Sequence, residues 1–153
     1  MNPQQATRST LLVIEAFVAV TAFAGGLALT LGAMIPDLSM VITPPAEYLE
    51  GSPFSSYLVP GLVLALVLGG LNAIAFVLLL QRRPSALFAA ATAGYAAIIW
   101  IFVQMMVIPF SFLQAVYFIA GAVELGLVML LLGLLPITST PKRVPARSRL
   151  STS

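Results

Sequence analysis

Four stretches of this chain, at about 10–31, 57–80, 86–107 and 112–135, are apolar over twenty residues or more. A helix needs roughly 20 such residues to cross the hydrocarbon core of a bilayer. In water each run would have to be covered on every side. A chain of 153 residues that is 60% hydrophobic and 8% charged has no polar surface with which to cover four of them. Soluble domains average about 25% charged residues. The sequence therefore predicts an all-α, membrane-embedded four-helix bundle running up-down-up-down. Its single transmembrane domain spans 10–135, between a short segment at 1–9 and a tail at 136–153.

The first run follows Arg8, as a signal peptide would, but it exceeds the 7 to 15 residues of a signal h-region and no small-x-small cleavage site follows it. It reads as a retained helix. Every Lys and Arg then falls on one side of the map. Arg8 precedes the first span, Arg82 and Arg83 join the second to the third, and Lys142, Arg143, Arg147 and Arg149 follow the fourth. The long connection at 32–56 holds Asp37, Glu47 and Glu50 and no basic residue. Because Lys and Arg stay on the cytoplasmic side, both termini are expected there, in a multi-pass protein of the cell (inner) membrane. The short connections "QRRPS" and "IPFS" make antiparallel neighbours of spans two and three, and of three and four.

The long connection ends in "LEGSPFSSYLVPGL". Thr43 is expected to cap a short interfacial helix with Pro44 in its first turn, and Gly51 to supply the left-handed residue that ends it. Ser52 and Pro53 repeat the start signal. Phe54, Tyr48 and Tyr57 suit the headgroup level, and Pro60 and Gly61 lie at the entry of the second span. The stretch reads as a structural elbow at the rim of the bundle. "LEGSPFSSYLVPGLVLALVLGGLNAIA" and "WIFVQMMVIPFSFLQAVYFIAGAVELGL" resemble small four-helix bacterial integral membrane proteins of uncharacterised activity. The likeness rests on Gly51 to Phe54, Val59 to Gly61 and Gln104. It implies the four-helix fold and brings no activity with it.

Glu15, Asn72, Gln104 and Glu124 fall inside the spans. An ionisable group at that depth costs several kcal/mol unless neutralised, paired or hydrated. Burial favours the protonated form, so Glu124 is expected to be neutral at ordinary pH. Counted from the span ends at about 1.5 Å per residue, Glu15 lies roughly 6 Å deep, Asn72 about 12 Å and Glu124 about 17 Å. That predicts a staggered polar ladder from the cytoplasmic side to the midplane. Gln104 and Tyr117 belong nearer the other face. Glu15 is also within reach of a snorkelling or pairing role with Arg82 or Arg83. Glu15, Ala19, Ala22 and Gly26 share a helical stripe, and small residues flank Asn72 and Glu124, which marks these as helix-packing faces.

Cysteine and histidine are absent, so thiolate chemistry and imidazole bases are excluded. No nucleophile–base pair, metal-ligand cluster or phosphate loop is present. The expectation is a protein that is not an enzyme, with no cofactor, no metal and no nucleic-acid partner. Its partners are the lipid bilayer and, for the basic tail, anionic headgroups, at about 1 kcal/mol per basic residue. The leading functional reading is an accessory or interaction subunit that docks by small-residue helix faces on a larger membrane complex or on itself. The alternative is a small proton-coupled transporter using Glu124 and Glu15, with Tyr95 and Trp100 as an aromatic wall.

Overall fold

The computed structural model describes residues 2–135, and among them it is all-helical. The basic tail, with Lys142, Arg143, Arg147 and Arg149, lies outside the described residues. Four helices are long and apolar enough to cross a membrane: α1 (Pro3–Met34), α3 (Leu58–Leu80), α4 (Ala86–Val107) and α5 (Phe112–Leu131). This is a multi-pass helical membrane protein. A short α2 (Pro36–Ile42) and a 3₁₀ turn (Ala46–Leu49) occupy the long connection.

Local chemistry sets the boundaries. Asn2 caps α1 by accepting the Gln4 N–H at 3.3 Å, with Pro3 in the first turn, where its missing N–H costs nothing. The helix therefore begins a full two turns before the apolar run. Ile35 breaks it in an extended conformation, and Pro36 starts α2. Thr43 does not cap a helix beginning at Pro44. It ends α2, its hydroxyl donating to the Ser39 carbonyl at 2.6 Å, and its methyl packs on Gly32. Pro36 is the earlier start signal, and the consecutive Pro44 and Pro45 stop the helix at Thr43. Gly51 does take the left-handed conformation, at φ 79°, with open space around it, so backbone conformation alone selects glycine there.

At the other end of the bundle α3 closes in a Schellman motif. The Arg83 N–H reaches the Leu78 carbonyl, the Arg82 N–H reaches that of Leu79, and Arg82 sits at φ 54°. The Arg8 guanidinium donates to the same Leu79 carbonyl and ties α1 to this corner.

Close backbone approach joins the helices, because in lipid packing rather than the hydrophobic effect holds them together. A Cβ on Gly26 would lie 2.6 Å from both the Ala65 nitrogen and the Gly61 oxygen, and one on Gly61 would meet the Gly26 oxygen at 2.9 Å. Gly94 and Gly121 make the matching crossing of α4 and α5, each within 3.0 Å of the other's carbonyl by the same measure. Residues Val63–Gly69 of α3 wind as a π-helix at the first crossing. Two apolar layers fill the interior. One gathers Leu11, Ala75, Leu79, Ala86, Ala90, Ala93 and Val128 at the arginine end. The other gathers Val18, Ala22, Leu68, Ala97, Trp100, Ile101 and Tyr117 toward the elbow end.

Candidate functional site: a buried carboxyl layer and an elbow-side chamber

Between those two layers lies a polar seam. Along α1 the order is Leu11, Glu15, Val18; along α3 it is Ala75, Asn72, Leu68; along α5 it is Val128, Glu124, Gly121. Helix α4 contributes Gly94, against which the Glu124 Cβ packs. Glu15, Asn72 and Glu124 are each 0% exposed. Helices α1 and α5 pack against each other, and both carboxyls are enclosed in the interior between helices. The three residues thus form one layer rather than a staggered ladder. The ladder fails because depth was counted from the ends of the apolar runs, whereas the Arg8–Leu79 contact sets the level of α1 beside α3, and Glu15 and Asn72 each lie about 10 Å inward from it.

The hydrogen bonding of this layer is incomplete. The Asn72 Nδ2 donates to the Leu68 carbonyl at 2.9 Å, inside the π-helical stretch. Among the described residues, no partner meets the Asn72 Oδ1, either oxygen of Glu15 or either oxygen of Glu124. The expected pairing of Glu15 with Arg82 or Arg83 is therefore not made. Both arginines are exposed at the end of the bundle, and Arg8 is committed to Leu79. Burial of a carboxylate without partner or hydration costs several kcal/mol. A layer of this kind brings together two acids that could bind and release protons.

Toward the elbow, a chamber of about 450 Å³ opens between the helices and the long connection. Its roof comes from the elbow: Phe54, Tyr57 and Pro60 line it, and the Tyr57 hydroxyl donates to the Pro45 carbonyl at 2.9 Å. Burial, with a smaller contribution from Tyr48, pushes the Tyr57 phenol above its ordinary value. Gln104, Trp100 and Gln114 line the walls. The floor is the Tyr117 hydroxyl, which donates to the Thr21 hydroxyl at 2.7 Å. Gly51, Ser52 and Pro53 lie outside the lining, with Ser52 Oγ accepting the Phe54 N–H at 3.2 Å to shape the turn. Gly61 is spent on the Gly26 crossing.

The sequence reading pairs Tyr95 with Trp100 on one wall, and the structure separates them. Tyr95 is 60% exposed on the outside of α4, whereas Trp100 is buried on the chamber. Gln114 was missed. Its signal is the S-x-x-Q spacing of "SFLQ", a capping box that the structure forms in full.

Fold and site together define a multi-pass helical membrane protein with a sealed carboxyl layer beneath an apolar chamber. No family model, curated protein or solved structure matches the chain.

Proposed function

We propose that this protein is a small proton-coupled carrier of the cell's inner membrane, with Glu15 and Glu124 as its proton-binding pair. The observation that carries the reading is their joint burial: two acids from different helices, fully enclosed in one layer, with all four oxygens lacking a partner among the described residues. A purely structural layer would satisfy its polar groups, because half-satisfied networks are less stable than apolar packing. In this reading the helices run up-down-up-down with both termini cytoplasmic, α2 lies along the outer face, and the elbow end faces outward. The one-sided distribution of Lys and Arg supports that orientation. Arg8, Arg82 and Arg83 surround a hollow of about 290 Å³ at the cytoplasmic end, suited to anionic headgroups.

Docking as an accessory subunit is less well supported. Ala19, Ala22, Gly26, Gly94 and Gly121, the small residues that would have served a partner, are buried within the chain's own crossings. Infrared spectra of the protein in nanodiscs, taken across a pH titration, test the carrier reading. A protonated-carboxyl band that titrates, and that Glu15→Gln and Glu124→Gln each reduce, is expected. A spectrum unchanged by both substitutions contradicts it.

A further inference from the structure

The hollow at the arginine end is lined by cations and by hydrocarbon together. Arg8 reaches it from α1, and Arg82 and Arg83 from the turn between α3 and α4. Leu87 of α4 and Leu131 of α5 line the same space. None of the chain's five acids does. Glu15 and Glu124 are sealed in the interior, and Asp37, Glu47 and Glu50 belong to the long connection. Arg8 gives one Nη to the Leu79 carbonyl, and Arg83 gives its Nε–H to the Gln81 Oε1 at 3.3 Å. Neither bond brings a counter-charge, and each leaves the rest of the guanidinium fork for an acceptor of the phosphate type. Arg82 adds a separate sign. The chain closes α5 with the same Schellman motif that closes α3, the Gly133 N–H on the Leu130 carbonyl and the Leu134 N–H on that of Met129. There the left-handed position holds glycine, which takes that conformation without strain. At the end of α3 the equivalent position holds Arg82 at φ 54°, a less comfortable backbone that keeps a cation at the hollow.

We infer that this hollow is a site for one anionic phospholipid, its phosphate among Arg8, Arg82 and Arg83 and an acyl chain along Leu87 and Leu131. A phosphate accepts paired N–H groups from a planar guanidinium, and here three guanidiniums from two segments of the chain surround one space. A free phosphate would use the arginines alone. Leucines in the same lining suit the hydrocarbon that a lipid brings with its phosphate. The occupant is a single lipid at a fixed place, which goes beyond the general attraction of basic residues to a charged surface. The assignment rests on the carrier reading only for the placing of this end at headgroup level, and it needs no proton to move.

The full chain is reconstituted in phosphatidylcholine nanodiscs with a rising fraction of phosphatidylglycerol, then released into mild detergent for native mass spectrometry. One tightly retained phosphatidylglycerol per chain is expected, and inorganic phosphate is expected not to displace it. Arg82→Gly removes a cation and relieves the left-handed backbone. Its thermal midpoint is expected to hold or rise while phosphatidylglycerol affinity falls about fivefold, the usual worth of one basic group near an anionic surface. Adding Arg83→Gln is expected to bring the fall to about thirtyfold. Arg8 stays in place because it ties α1 to α3. Replacing Lys142, Arg143, Arg147 and Arg149 together by Gln is expected to leave the retained lipid on the chain. Unchanged affinity in the folded double variant overturns the assignment, as does a lipid lost with the tail charges instead. Equal retention of phosphatidylcholine, or displacement by inorganic phosphate, overturns it too. A retained lipid on a chain that passes no protons leaves this site standing and rejects the carrier reading; proton flux without a retained lipid does the reverse.

Discussion

The Tyr117 hydroxyl donates to the Thr21 hydroxyl at 2.7 Å and bridges α5 to α1 at the boundary between chamber and carboxyl layer. Its direction is fixed, because the single Thr21 proton goes to the Phe17 carbonyl at 2.7 Å. Glu15 lies about 9 Å further along α1 and Glu124 about 10 Å further along α5.

Removing the bond should be measurable. Tyr117→Phe and Thr21→Val are each expected to cost about 1 kcal/mol, as a lowered midpoint in denaturant-mixed detergent. Since each substitution removes the same contact, the double variant is expected to fall short of the sum.

The crossing of α1 and α3 tolerates no side chain. Gly26→Ala places a methyl 2.6 Å from the backbone of α3 and is expected to cost about 1–3 kcal/mol. Gly126 has nothing within 4 Å of its Cβ position, so Gly126→Ala is expected to hold or gain up to about 1 kcal/mol. Thermal unfolding of the two variants in one detergent separates packing from helix propensity.

The elbow should loosen in strong alkali. Burial, then Tyr48, raises the Tyr57 phenol in the folded protein above the ordinary value near 10. Its contribution to stability is thus fully present below that pH and is lost as pH climbs through the raised folded value. Hydrogen exchange at the elbow is expected to accelerate in that range, and Tyr57→Phe is expected to flatten the dependence.

Orientation can be read with thiol probes, because the chain has no cysteine of its own. Ser52→Cys is expected to react with an impermeant maleimide on intact cells, and Ser85→Cys only after permeabilisation. The reverse pattern would invert the proposed topology.

Hydropathy alone located the four spans, since a run of twenty apolar residues has one physical solution in lipid. The arrangement along their axes was harder to read. Helices extend past apolar runs wherever a cap and a proline allow it, as Asn2 and Pro3 do, and only a tertiary contact, Arg8 on the Leu79 carbonyl, shows the level at which α1 sits beside α3. Which face of a hydrophobic helix turns inward is also weakly written. Tyr95 and Trp100 are five residues apart and point to opposite environments. The π-helical stretch of α3 has no signature in "VLALVLG", since a wider turn depends on what packs against it. Gln114 was legible as half of a capping box.

Proton flux into sealed vesicles tests the central claim most directly. Proteoliposomes enclosing a pH-sensitive dye are given a negative-inside potassium diffusion potential. The carboxyl pair is expected to pass protons inward, and Glu15→Gln combined with Glu124→Gln to reduce the flux to that of empty vesicles. Wild-type vesicles no different from empty ones would contradict a proton-carrying role for Glu15 and Glu124.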